Sequence, residues 1–204
     1  MLNRTTLWVA CLAVCLAAVN SGCRQGPSRV YPPAINASAA GKEAIAMFDT
    51  NKDQKLDGAE LDKCPGLKSA AARLDPTGMG ITAEMITARI KVWQDSRLGR
   101  TVFSCRVMRN GQPVPGVDVK LVPEKFLGPN MLVASGKTSE QGMAMLSVPV
   151  KEREGPGVPP GFYRVEITSP TIKIPVTYNT QTILGQEIAN GVGTLQPPTY
   201  DLRF

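Results

Sequence analysis

Four carboxylates and one asparagine amide fall within the twelve residues from Asp49 to Glu60: Asp49, Asn51, Asp53, Asp57 and Glu60. The first three occupy alternate residues. Oxygen donors at this density, with no nitrogen or sulfur among them, suit a hard divalent cation. Calcium takes six to eight oxygens at about 2.3–2.6 Å. The chain contains no histidine. That absence excludes Ser-His-Asp and Cys-His nucleophile pairs and every His-ligated zinc site, and it removes the commonest general base near neutral pH. A hydrolase built without histidine needs paired carboxylates in one cleft. The acidic residues gather in the oxygen-rich stretch instead. No catalytic residue is assigned, and the chain is expected not to be an enzyme.

The run Asp49-Thr-Asn-Lys-Asp-Gln-Lys-Leu-Asp-Gly-Ala-Glu60 resembles an EF-hand loop. The resemblance implies a Ca2+ ligand set of side-chain oxygens from Asp49, Asn51 and Asp53, the backbone carbonyl of Lys55, Asp57 directly or through water, and a bidentate Glu60. Leu56 would join a short strand to a partner loop. The sixth position departs from the family pattern, with Gln54 in place of a turn glycine. A non-glycine residue in the left-handed region costs about 1–2 kcal/mol, and about 1.4 kcal/mol is tenfold in affinity. Binding weaker than that of a sensor is therefore expected, in the range of about 10⁻⁴–10⁻³ M typical of extracellular modules. The alternative is an Asx-rich turn that holds no metal.

EF-hands normally occur in pairs. Residues 38–48 have helical spacing, with Ala44, Met47 and Phe48 on one side. A second helix is expected from Leu67 to Leu74, set off by Pro65-Gly66. Asp75 to Glu84 resembles a shortened second loop, with Asp75 and Thr77 at the first and third positions and Met79 where a carboxylate belongs. Ile81 would pair with Leu56. Thr82 is placed to cap a helix carrying Met85, Ile86, Ile90 and Trp93 on one face. This half is assigned a structural role.

At the other end of the chain, Arg4 precedes an unbroken apolar run from Leu7 to Val19, followed by Asn20-Ser-Gly-Cys23. These are the parts of an export signal, and the run is too short for a comfortable membrane span. Ser21-Gly22-Cys23 resembles the lipobox of bacterial lipoproteins, which implies acylation of the Cys23 thiol and an anchor in a membrane. Asn20 stands where the family prefers an aliphatic residue, and ordinary cleavage with Cys23 free is the alternative. Residues 24–37, with Pro27, Pro32 and Pro33, read as a tether. Of the other cysteines, Cys11 and Cys15 belong to the leader. Cys64 and Cys105 either pair in an oxidising compartment or stay as buried thiols.

From Thr101 the apolar spacing changes to period two, punctuated by turns. Expected strands are Val102–Met108, Val117–Leu121, Met131–Ala134, Ala144–Val150, Phe162–Thr168, Ile172–Tyr178 and Tyr200–Phe204, with Asn110-Gly111 as a hairpin turn. Seven short strands argue for a sandwich. The run Asn110 to Leu121, with Thr138-Ser-Glu-Gln-Gly142 and Pro160-Gly-Phe-Tyr163, resembles the carboxypeptidase regulatory-like, or transthyretin-like, domain. That family implies an accessory β-sandwich with no catalytic residues to carry over. Between its strands, Lys151 to Pro160 is a charged loop that reads as a solvated connection, or else as a partner-binding loop.

The expected fold class is thus α+β: a small helical EF-hand pair (38–97) followed by a seven-stranded Ig-like/transthyretin-like β-sandwich (100–204), after a signal peptide (1–22) and tether (23–37). The net charge is +6 with the basic residues scattered, so no nucleic-acid partner is expected. The expected function is a non-catalytic, membrane-anchored envelope lipoprotein that binds calcium and presents the sandwich to an envelope protein or polysaccharide. The alternative is a structural spacer or assembly factor with an empty loop.

Overall fold

Four small residues decide how the first helix packs. In the computed structural model, which describes residues 28–151, 154–192 and 196–204, helix α1 runs Ala37–Phe48. Asn36 caps it, its side-chain oxygen accepting from the Ala39 N–H at 3.1 Å. Ala37, Ala40, Gly41 and Ala44 are its buried residues, one stripe at helical spacing. This differs from the expected face, since Met47 is largely exposed. The reason is the close approach of α5 (Ala83–Asp95): a Cβ on Gly41 would lie 2.5 Å from Thr87 Oγ1. Thr87 Oγ1 donates to the Ala37 carbonyl at 3.1 Å, and Gln94 Nε2 donates to the Ile35 carbonyl at 2.7 Å. Thr82 caps α5 by accepting from the Met85 N–H at 3.4 Å, and Ile86, Ile90 and Trp93 are buried.

Between these helices lie β1 (Lys55–Leu56), α2 (Gly58–Asp62), α3 (Pro65–Lys68), α4 (Ala71–Leu74) and β2 (Ile81–Thr82). The single helix expected over Leu67–Leu74 is two short ones. Ser69 Oγ folds back to donate to the Gly66 carbonyl at 2.7 Å, a local bond that competes with helix continuation.

The rest of the chain forms two four-stranded sheets. In the first, β3 (Phe103–Arg109) runs antiparallel to β7 (Met143–Leu146) and to the short β4 (Gln112–Pro113), and parallel to β10 (Thr199–Leu202). Asn110 and Gly111 both have positive φ, 50° and 77°, as a primed hairpin turn requires. In the second, β6 (Ala134–Lys137), β5 (Asp118–Pro123), β8 (Gly161–Thr168) and β9 (Gly185–Ile188) follow one another antiparallel. A bridge between Ser135 and Ser147 joins the two sheets. Alternation sets their buried faces: Phe103, Cys105 and Val107 on β3, Val119 and Leu121 on β5, Tyr163, Val165 and Ile167 on β8. The strand expected over Ile172–Tyr178 is absent. Val176–Tyr178 is a 3₁₀ turn, Pro175 has no N–H to donate to a ladder, and β9 takes the place beside β8.

The helices and the sheets share one hydrophobic core. Trp93 of α5 meets Phe162 of β8 edge-on, with ring centroids 4.7 Å apart. The α3 backbone lies so close to β9 that a Cβ on Gly185 would overlap the Pro65 carbonyl. The Gly66 N–H donates to Glu124 Oε1 at 2.9 Å. Arg73 of α4 and Arg89 of α5 both reach the fully buried Glu187 of β9, at 2.6 and 2.5 Å. Cys64 and Cys105 are buried and unpaired, the second of the two alternatives that the sequence leaves open. Cys64 sits at the helix–sheet seam beside Glu124, whereas Cys105 lies within β3 near Tyr200. Among the described residues, no helix is long and apolar enough to cross a membrane.

Candidate functional site

The oxygen-rich loop spans the gap between α1 and α2. Its turns are built by its own side chains. Asp49 Oδ1 accepts from the Lys52 N–H at 2.6 Å and Oδ2 from the Gln54 N–H at 2.9 Å. Asn51 Oδ1 accepts from the Asp53 N–H at 2.9 Å, and Asp53 Oδ1 from the Lys55 N–H at 3.0 Å. Short polar side chains bonding backbone two or more residues ahead are the usual means of tightening a turn. Lys52 and Gln54 have φ of 65° and 66°. Gln54 thus adopts the conformation for which glycine is the unstrained choice, at a cost of about 1–2 kcal/mol. Lys55 enters β1, where its backbone is fixed by pairing with Thr82. Asp57 is exposed and precedes α2, its carbonyl accepting from the Glu60 N–H at 2.9 Å.

Glu60 is the one buried member of the set, 5% exposed. Its Oε1 accepts from the Thr50 N–H at 2.7 Å, from Thr50 Oγ1 at 2.8 Å and from the Asn51 N–H at 3.2 Å. These bonds, that of the Thr50 N–H foremost, hold its carboxyl below the usual carboxylate range. Its Oε2 is buried with no hydrogen-bond partner. A buried carboxylate oxygen without a partner is costly, and such an atom at the end of an acidic loop fits a cation. Among the described residues, however, no three acidic or thiol side chains converge tightly enough to form a metal cluster. The loop side chains are spent on the turn bonds above, although each carboxylate oxygen retains a second lone pair.

The two residues expected to face one another across the paired loops do so: Leu56 of β1 pairs with Ile81 of β2, and both are buried. Thr50 was not anticipated as a partner of Glu60, because nothing in its residue type separates it from other loop threonines. Cys23 and the expected export leader lie outside the described residues. Burial raises the thiol of Cys64, with Glu124 adding to the effect, and pushes Cys105 up to about 12, so neither is a thiolate near neutral pH.

The loop thus runs from the end of α1 to Glu60 of α2, which leaves one buried oxygen unpartnered; no family model, curated protein or solved structure matches the chain.

Proposed function

We propose that this protein is a non-catalytic, exported envelope protein, anchored to a membrane through a lipid on Cys23, whose loop 49–60 binds calcium and stiffens the helical half of the fold. The unpartnered, buried Oε2 of Glu60 carries the calcium part of the proposal. Asp49, Asn51, Asp53, the Lys55 carbonyl and Asp57 supply the remaining oxygens. The ladder between Leu56 and Ile81 supports treating α1 through α5 as an EF-hand pair with a degenerate second loop. The alternating buried residues of the two four-stranded sheets support an Ig-like or transthyretin-like sandwich. The sandwich then presents a protein or polysaccharide partner with its loops or outer faces. The anchor rests on Ser21-Gly22-Cys23 alone. Intact-mass analysis of the membrane fraction is expected to give a chain beginning at an acylated Cys23; an unmodified Cys23 removes the anchor.

Calcium that binds the folded chain and not the unfolded one raises its stability. With dissociation in the range of about 10⁻⁴–10⁻³ M, several millimolar calcium is expected to add about 1–2 kcal/mol. For a chain of this size that raises Tm by about 2–8 °C. Thermal unfolding with and without calcium tests this, with Glu60→Gln as the comparison. The variant keeps the side-chain shape and an acceptor for Thr50, and its calcium-dependent shift should vanish. A wild-type Tm that ignores calcium sinks the proposal.

A second proposal is favoured by one observation. Glu60 Oε1 closes the loop onto Thr50 and Asn51 through the chain's own N–H donors. In that case the loop is a folding element, and the protein is a structural spacer or assembly factor.

A further inference from the structure

Between Asp75 and Gly80 the second loop contains one carboxylate, and the loop itself satisfies it. Asp75 is 7% exposed. Its Oδ1 accepts from the Thr77 N–H at 3.0 Å and from Thr77 Oγ1 at 2.5 Å. Its Oδ2 accepts from the Gly80 N–H at 2.7 Å, a buried bond. The bond to Gly80 runs five residues ahead, as does the bond from the Gln54 N–H to Asp49 in the first loop. The two loops therefore share one turn device. They differ in what surrounds the carboxylate. Asp49 is followed by Asn51 and Asp53, whereas Asp75 is followed by the Thr77 hydroxyl and by Met79, which is 68% exposed. Both carboxylates accept from two backbone N–H groups of their own loop, and Asp75 accepts in addition from the Thr77 hydroxyl.

Gly80 connects this loop to the first one. Its φ is +104°, and a Cβ placed on it would lie 2.9 Å from Lys55 Cβ and 3.2 Å from Lys55 Cδ. The Lys55 stem thus lies directly over the Gly80 backbone, and the ladder continues from Lys55–Thr82 to Leu56–Ile81. Lys55 is the residue whose backbone carbonyl the calcium proposal uses.

We infer that Asp75 is a positioning residue for the first loop: closed by Thr77 and Gly80 without an ion, the second loop is a fixed brace that sets the Lys55 backbone for a cation held by residues 49–60. The inference rests on the calcium proposal and adds a stoichiometry, one ion per chain, and a remote determinant of affinity. Without Asp75, the buried Gly80 N–H loses its acceptor, and the segment beneath Lys55 relaxes.

Calorimetric titration of the full chain with calcium tests it. The wild type should bind one ion. Asp75→Ala should bind about tenfold more weakly, a difference near 1.4 kcal/mol, with its circular dichroism unchanged. Thr77→Val, which keeps the shape and removes the hydroxyl, should weaken binding in the same direction, and Thr77→Ser should restore wild-type affinity. Leu202→Ala on the distant β10 lowers stability through the sheets and should leave calcium affinity as it is. Two ions per chain overturn the inference. So does an Asp75→Ala variant that binds like the wild type, or a loss in Leu202→Ala equal to that in Asp75→Ala. If Asp75→Ala does not fold, the Thr77→Val and Thr77→Ser pair decides by the same criteria. A wild type that binds no calcium refutes the calcium proposal itself, an outcome distinct from the others.

Discussion

Removing Arg73 and Arg89 together is expected to destabilise the fold by about 3–5 kcal/mol, the cost of leaving a buried charge without its partners. Glu187 is fully buried on β9, and its two oxygens are divided between the arginines: Oε2 takes Arg73 Nε and Nη2 at 2.9 and 2.6 Å, and Oε1 takes Arg89 Nε at 2.5 Å. The arginines are less committed. Arg73 is 44% exposed and Arg89 22% at the side chain. This asymmetry orders the variants. Glu187→Gln releases two arginines that can turn toward water, so it should cost less than Arg73→Ala with Arg89→Ala, which strands the carboxylate. Each single arginine variant should fall between the wild type and the double variant. Urea denaturation monitored by circular dichroism gives the order from the midpoints. A Glu187→Gln variant less stable than the double arginine variant contradicts it. Because α4, α5 and β9 all meet at this carboxylate, a two-step transition in the double variant would mark separation of the helices from the sheets.

Leu56→Ala is expected to be comparably severe, about 2–5 kcal/mol for a buried leucine truncated in a packed site. Leu56 is fully buried, and so is Ile81 across the ladder. The same residue follows the Lys55 carbonyl, so the variant should also lose the calcium-dependent rise in Tm. Leu56→Met conserves volume and should cost less than about 1.5 kcal/mol. It should also keep the calcium response. Denaturant midpoints measured with and without calcium separate the two effects. If Leu56→Ala keeps a full calcium response, the ladder does not position the site.

What could be read from residue types alone followed the strength of local patterns. Helix α5 was legible because Thr82, Ile86, Ile90 and Trp93 combine a cap with a single apolar face. Strands β3, β5 and β8 were legible through alternation, and the hairpin through Asn110-Gly111. Strand β9 was not, because its one charged residue, Glu187, reads as a surface residue until two arginines from distant helices are placed against it. Ile172, Ile174 and Val176 alternate like a strand, but Pro175 and the presence of β9 beside β8 leave that segment unpaired. Apolar spacing puts Ala44, Met47 and Phe48 on one side of α1, but α5 packs where the side chains are smallest, on Ala37, Ala40, Gly41 and Ala44. Gly41 matters through the side chain it lacks. At the candidate site, the spacing of oxygens was visible, but the Thr50 contacts and the unpartnered Glu60 Oε2 depend on where α2 begins. The cysteines were ambiguous for a similar reason: two thiols can form a disulfide only if the fold brings them together, and it places Cys64 beside Glu124 and Cys105 within β3.

Glu60 is the point at which the calcium proposal is most exposed to test. A crystal structure of the full chain grown in several millimolar calcium answers it directly. The proposal predicts an ion bound by oxygens of Asp49, Asn51, Asp53, Glu60 and the Lys55 carbonyl at about 2.3–2.6 Å, with Glu60 Oε2 no longer without a partner. A well-ordered loop with no ion, still closed by Glu60 on Thr50 and Asn51, would contradict it.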